Sequence, residues 1–185
     1  MPDLPLPLLL VLCNRRTKVE APRGSGGIGH WMWKHLAGIT PAAPGFAKVA
    51  IAPRIHDTVG PRSVGGQFVS PKGLISSSWR ITSPDTVKLS VSLPVGVSGA
   101  TILVPKPTTG GQPATTASIA LNGKKLWDGA KLVETCGGVV GAKDQPNGVE
   151  FTTTNGKFEF VSTSEPDENV ESTVTKSRVG HNSFE

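Results

Sequence analysis

Cysteine, aromatic residues and long apolar runs are all scarce in this sequence. It contains two cysteines and 5% aromatic residues in a chain of 185. Cys13 and Cys136 have neither CxxC spacing nor histidines at metal-site intervals, which argues against a zinc site and leaves the redox compartment open. No segment approaches the roughly 18 consecutive apolar residues of a membrane span. We therefore predict no membrane-spanning segment and no membrane partner.

Catalytic motifs are absent as well: the sequence has no HExxH, GxSxG or P-loop pattern. Residues 24–29 are rich in glycine but follow no strand, so we interpret them as the entry to a helix rather than a phosphate-binding loop. His30 and His35 would lie about 140° apart on that helix and could not share a metal ion. The acidic candidates do not form the carboxylate pair that glycoside hydrolysis needs; they are Asp57, Asp85, Asp128 and Glu134. We expect no catalytic residue, cofactor or metal ion in this chain.

Positive charge is present but is not concentrated. The net charge is +5, and the lysines and arginines are scattered, with no basic run interleaved with aromatic residues. This pattern argues against a nucleic-acid partner. Residues 5–13 imitate the apolar part of a signal peptide, but no positive charge precedes them and the basic residues follow them. The segment is therefore a poor signal peptide, and the localisation stays unknown.

Glycine and proline are abundant, with 22 and 16 residues, which favours many turns and argues against a helical bundle. Between the turns lie short segments of alternating polarity, and the clearest of them is Thr86–Leu93. Asn122-Gly123 predicts a β-hairpin, and Asn155-Gly156 predicts a second one that pairs residues 148–154 with 156–162. Regularly spaced strands with turns between them are typical of an antiparallel β-sandwich.

One helix precedes the strands. Apolar residues recur at three- and four-residue steps from Ile28 to Leu36, and Gly38 is expected to end the helix. Pro41 and Pro44 prevent a restart, and Phe46–Ala52 then alternates as a strand. The predicted fold is therefore all-β, an antiparallel β-sandwich preceded by one α-helix. The predicted organisation comprises an N-terminal segment outside the fold (1–23), a helical segment (24–43), the β-sandwich (44–163) and a disordered tail (164–185).

Tryptophans are the candidates for a binding surface. Trp31 and Trp33 could stack on a sugar ring, but the apolar helix face favours packing, with Trp31 on the sheet and Trp33 at a domain contact. Trp79 is interpreted as the anchor of a half-buried strand. Packing is favoured for Trp127 as well. It follows the first hairpin beside a polar turn, and as a possible contact with a sugar or a domain we expect it to be the more exposed candidate.

The order of these residues resembles a known family. The segments Gly26–Gly29, Trp31–Trp33, Ala37–Ile39 and Pro44–Phe46 resemble the junction between the catalytic and C-terminal domains of bacterial-type α-L-rhamnosidases. Gly73–Trp79 and Ile119–Lys124 are similar to two later strands of that family, and their order and spacing agree with it. The resemblance covers roughly residues 24–163.

The resemblance implies an inverting glycosidase whose (α/α) barrel carries the catalytic carboxylates and precedes a small β-sandwich. The helix of this chain is then the last helix of such a barrel, and no position here inherits the catalytic acid or base. An asparagine-histidine pair of the family should fall just before Gly26, where Val19–Arg23 does not match it.

Three functions follow as hypotheses. The first is a C-terminal accessory β-sandwich of an α-L-rhamnosidase-like glycoside hydrolase, a fragment without the barrel and inactive alone, whose partner is that barrel. The second is a free-standing carbohydrate-binding module for rhamnose-containing glycans. The third is a fragment that does not fold stably, because the barrel-facing helix would be an uncovered apolar patch.

Overall fold

A computed structural model describes residues 8–10, 26–55, 60–109, 112–135 and 137–164. Two β-sheets and a short helical segment make up these residues, so the all-β prediction is confirmed. Of the predicted N-terminal segment the structure describes only Leu8–Leu10, and of the predicted tail only Ser164. Three residues weighed above as ligands or catalytic groups lie outside the described residues: Cys13, Asp57 and Cys136.

The larger sheet has seven strands. In spatial order they are β1 (Leu8–Leu10), β4 (Ser63–Ser70), β5 (Gly73–Ser83), β6 (Thr86–Leu93), β14 (Gly156–Ser164), β10 (Ala117–Leu121) and β11 (Lys124–Asp128). Neighbouring strands are antiparallel except at one edge, where β1 runs parallel to β4. The strand expected at 86–93 has the predicted bounds, because its strict alternation matches a pleat with one buried face.

The smaller sheet has five strands. In spatial order they are β12 (Val139–Gln145), β13 (Gly148–Thr153), β7 (Gly99–Pro105), β3 (Lys48–Ile51) and β2 (Ile39–Pro41). Here β3 and β7 are parallel, and the other pairs are antiparallel. The loop after β7 carries a two-stranded ribbon, β8 (Thr108–Thr109) with β9 (Gln112–Pro113). The ribbon was not predicted from this polar loop.

The core lies between the two sheets. Alternate residues of β6, β7 and β14 are buried between the sheets, and the aromatic centre is a stack of Phe151 from the smaller sheet on Phe160 from the larger, with ring centroids 5.4 Å apart. Both rings are fully buried, and burial of one such side chain contributes about 1.5–3 kcal/mol. Val49 and Ile51 of β3 are also fully buried, on the strand face that the alternation indicated.

The two predicted hairpins have different outcomes. Asn122 and Gly123 both have positive φ, 50° and 83°, and they join the antiparallel strands β10 and β11 as predicted. The hairpin at Asn155-Gly156 is wrong, because β13 and β14 lie in different sheets. Only Gly156 of that pair has a positive φ, whereas a tight two-residue turn of this type needs two such residues.

The hairpin partner of β13 is β12, which was not predicted. These strands turn at residues 146–147, where Gln145 pairs with Gly148. Only Val139 of β12 is buried, so the strand has no alternating pattern by which it could be recognised. Its backbone is held by pairing with β13 rather than by a buried face.

The helical segment is a regular helix that widens before it ends. Helix α1 (Gly26–Met32) continues as a π-helix (Trp33–Ala37), and Gly38, with φ of 74°, ends it as predicted. Strand β2 was not predicted; it follows at once as an edge strand, where Pro41 can dispense with a ladder N–H. The expected strand at 46–52 is shorter, because residues 44–46 form a 3₁₀ turn first.

Candidate functional site

The helical segment is seated on the edge of the larger sheet by two specific contacts. The indole Nε1 of Trp79 donates a hydrogen bond to the carbonyl of Leu36 over 2.8 Å. Gly66 lies under Ala37, and a Cβ atom at Gly66 would come within 2.6 Å of the Cβ of Ala37. Strand β4 runs without interruption through Gly65 and Gly66. The glycine instead gives the helical segment room to approach the sheet.

Three aromatic rings pack together beside this contact between the helical segment and the sheet. Trp33 and Phe68 pack edge to face with centroids 4.6 Å apart, and Phe46 packs on the other side of Phe68, also at 4.6 Å. They line an open groove of about 470 Å³. We call it the aromatic groove, and its lining residues are His30, Trp33, Lys34, Ile39, Thr40, Pro41, Phe46 and Phe68. Aromatic walls with a few polar groups are typical of binding sites.

One residue of the groove, Phe46, has a strained backbone. Gly45 and Phe46 have φ of 65° and 59°, and a bulky residue in this left-handed region is unfavourable by about 1–2 kcal/mol. Stacking on Phe68 compensates part of that cost. Strained residues held by packing cluster at ligand and partner sites, which makes this corner the candidate functional site.

Trp31 is the exposed tryptophan of the helical segment. Its side chain is 55% exposed, and its ring lies 5.3 Å from the imidazole of His35. The structure reverses the expected roles of the two helical tryptophans, because Trp33 is half-buried against Phe68 and Trp31 faces solvent. The π-helix that begins at Trp33 has more residues per turn than the 3.6 of an α-helix, so the face presented to the sheet changes after Met32.

Trp127 is not part of this site. Its ring is only 4% exposed, so the expectation that it is the more exposed candidate is wrong. A register shift between Ile119 and Ala120 leaves Leu126 as an extra residue opposite β10, and this bulge lets Leu126 and Trp127 both point inward. A bridge to Leu132 covers the edge. Trp127 and Trp79 both belong to the core.

The charge around the helical segment is positive. The pKa of His35 is lowered from 6.5, first by partial burial and then by the positive charges of Arg54, Lys34 and His30. No carboxylate contributes to that shift. A partner that covers this face therefore meets basic groups at its rim.

Two of the acidic candidates, Asp85 and Asp128, are turn residues. Asp85 lies in the β5–β6 turn and accepts a hydrogen bond from the hydroxyl of Ser164 over 3.2 Å. Asp128 accepts the amides of Ala130 and Lys131, which lower the pKa of its carboxyl and identify it as a turn residue. No group of three or more histidine, cysteine or acidic side chains within the described ranges could hold a metal ion. In the same residues, no helix is long and apolar enough to cross a membrane.

Residues 38–118 match the sequence profile of the bacterial α-L-rhamnosidase C-terminal domain. This segment belongs to that family. The matched segment begins at the glycine that ends the helix and reaches into β10, so it contains the strained corner and most of the sandwich. The recognition made from the sequence is confirmed.

Two relatives of this rhamnosidase C-terminal domain give its context. An α-L-rhamnosidase of Alteromonas sp. (strain LOR) is 34% identical over 73 residues, which cover 40% of this chain and 8% of that enzyme. The crystal structure of Streptomyces avermitilis α-L-rhamnosidase complexed with L-rhamnose has a TM-score of 0.55 at 20% identity, over 74% of this chain and 11% of that one. The second likeness shows a shared fold. This chain spans only about a tenth of the length of either relative.

Proposed function

We propose that this rhamnosidase C-terminal domain is an accessory domain that docks on an (α/α) catalytic barrel, and that by itself it hydrolyses no rhamnoside. Family membership supports the accessory role. The use of Asp85 and Asp128 as turn residues supports the lack of hydrolysis, since hydrolysis with inversion needs two carboxyls roughly 6.5–9.5 Å apart across one sugar.

The observation that carries the docking proposal is the exposure of Trp31 on the helical segment. A tryptophan that is 55% exposed is a candidate anchor residue for an interface with another protein surface. Covering its exposed part removes roughly 100–140 Å² from water, which is worth about 3 kcal/mol. We infer that the helical segment is the last helix of the barrel architecture and that the barrel covers Trp31.

The charge of this face indicates what the barrel presents to it. His30, Lys34 and Arg54 surround the imidazole of His35 with positive charge. A barrel surface with acidic residues at its rim complements that charge, and added salt should weaken the contact because exposed pairs are screened within about 8–10 Å.

A chimaera tests the docking. The Alteromonas enzyme is expressed with this chain in place of its own C-terminal domain, and thermal unfolding of the barrel is compared with that of the barrel alone. Trp31→Ala should remove most of the stabilisation that the domain confers on the barrel. Val140→Ala is the control, because Val140 is 62% exposed on β12, in the other sheet. Equal unfolding temperatures for the two variants would contradict docking through Trp31.

Glycan binding in the aromatic groove is the second candidate. It is favoured by the half-buried ring of Trp33 next to the polar groups of Thr40 and Lys34. Rhamnose-containing oligosaccharides at millimolar concentration should then change the tryptophan fluorescence of the wild type, and Trp33→Phe should reduce that change. An unchanged spectrum would exclude this function.

Two measurements on the purified chain come first. A single cooperative melt would exclude the hypothesis of a fragment that does not fold stably. Release of rhamnose from an aryl rhamnoside by the same preparation would refute the proposed lack of hydrolysis.

A further inference from the structure

A second cavity lies away from the aromatic groove and shares no residue with it. It opens where the parallel strands β3 and β7 both end, so the segments that follow them meet at the same edge of the smaller sheet. Its volume is about 560 Å³. The lining residues are Ala52, Pro53, Arg54, Ile55, Leu103, Pro105, Lys106, Thr108, Pro113 and Asn147. We call it the cationic cavity.

The floor of the cationic cavity holds a buried amine. The side chain of Lys106 is 5% exposed, and its Nζ lies 2.9 Å from the carboxylate of Asp144 and donates to the carbonyl of Thr115 over 3.4 Å. An ammonium group has three donors, so one N–H remains for a guest. Desolvation of an ammonium costs several kcal/mol, and one half-exposed carboxylate offsets it only in part. A buried lysine in a cavity wall is thus better explained by binding than by stability.

A second cation stands at the mouth of the cavity. Arg54 is exposed, and its backbone N–H is fixed to the carbonyl of His35 over 2.9 Å, so the residue is held although its side chain reaches solvent. A guanidinium presents a planar fork that matches a carboxylate. Asn147 adds a side-chain amide that can both donate and accept. Its backbone carbonyl accepts a hydrogen bond from the backbone N–H of Lys106 over 3.2 Å.

The remaining wall is apolar. Pro53, Ile55, Leu103 and Pro105 give it a surface on which the C–H face of a sugar ring can pack. Two cations, one amide and an apolar wall in one cavity select a ligand with a carboxylate, hydroxyl groups and a flat C–H face. We propose that the cationic cavity binds a uronate unit of an acidic glycan, with the carboxylate between Arg54 and Lys106. This proposal does not depend on docking through Trp31.

The test is an NMR titration of the full chain with D-glucuronate at pH 7 and low salt. Glucuronate should shift the backbone amides of Arg54, Lys106 and Asn147 with saturation in the millimolar range. D-Glucose at the same concentrations should not, because it lacks the carboxylate. Acetate should bind at least tenfold more weakly than glucuronate, because it lacks the ring.

Substitution tests the roles of the two cations. Arg54→Gln should weaken glucuronate binding about tenfold, the size expected for one charge-assisted hydrogen bond. Arg80→Gln is the matched control, since Arg80 is an exposed arginine on β5 outside the cavity. Lys106→Met removes the amine and keeps the length of the stem, and its fold is checked by a melt. Because the wild-type shifts need no variant, they decide the proposal even if Lys106→Met fails to fold.

Three results would overturn the proposal. One is the absence of saturable shifts at the cavity amides with glucuronate. Another is an equal response to glucose, which would mean that the carboxylate is not recognised, or to acetate, which would mean that the sugar ring is not recognised. The third is a dissociation constant for Arg54→Gln that equals the value for Arg80→Gln.

Discussion

Gly38 is the position at which the addition of a single methyl group should lower the free energy of unfolding the most. It ends the π-helix with φ of 74°, and its N–H bonds to the carbonyl of Trp33. A Cβ atom at this site would overlap the backbone nitrogen of Pro53 and lie 2.7 Å from its Cα. The carbonyl of Gly38 also accepts the amide of Ala52 over 2.9 Å, so the two segments cannot move apart freely.

The expected cost has two parts. Alanine in the left-handed region is less stable than glycine by about 1 kcal/mol. Overlap with a backbone that has no rotamer to change adds roughly 1–3 kcal/mol, the usual cost of overpacking. Gly38→Ala should therefore lower the free energy of unfolding by roughly 2–4 kcal/mol.

Gly45→Ala separates the two parts. Gly45 has a similar φ of 65°, but a Cβ atom there would meet nothing within 4 Å. This variant should lose only about 1 kcal/mol. Urea unfolding followed by tryptophan fluorescence measures both, provided that the transitions are two-state with equal slopes. Equal losses for the two variants would refute the argument, since they would mean that the approach of Pro53 to Gly38 carries no cost.

Two further predictions follow from the core and the helical segment. Trp79→Phe should lower the free energy of unfolding by about 1 kcal/mol more than Trp127→Phe. The reason is that the indole of Trp79 donates a hydrogen bond over 2.8 Å, whereas the buried indole nitrogen of Trp127 has no partner among the described residues. Equal losses in urea melts would contradict this. The lowered pKa of His35 means that the folded chain binds fewer protons than the unfolded chain, so its contribution to stability is present above pH 6.5 and is lost as the pH falls through the folded pKa. Unfolding at pH 7.5 and pH 5 should show a smaller loss for His35→Gln than for the wild type, and an NMR titration midpoint of His35 at or above 6.5 would refute the assignment.

The local features of this protein follow from the sequence because they depend on neighbouring residues alone. The strict alternation of Thr86–Leu93 predicts β6 with its bounds. Gly38 ends the helical segment, since few other residues adopt its φ without strain. Asn122-Gly123 forms its hairpin for the same reason, with positive φ at both positions. The order of such local signals was also sufficient to recognise the family.

Which strands pair with each other was decided by the tertiary structure. An Asn-Gly pair joins β13 to β14, yet each strand finds a neighbour in a different sheet, because their buried faces are needed on opposite sides of the core. The same holds for the tryptophans. Trp127 is buried through a bulge opposite β10, and Trp31 is exposed just before the α-helix changes to a π-helix.

The cationic cavity shows the limit most directly. Arg54, Lys106 and Asn147 are separated by about 40–50 residues along the chain and have no common motif. They line one cavity because β3 and β7 run parallel and the β12–β13 turn closes the same edge. Local preferences determine the dihedral angles and the buried face of each strand, but the pairing of distant strands depends on which arrangement buries all those faces together. For this protein the sequence determined the family and those elements that have a clear local pattern, and only the packing of the two sheets decided which side chains share a site.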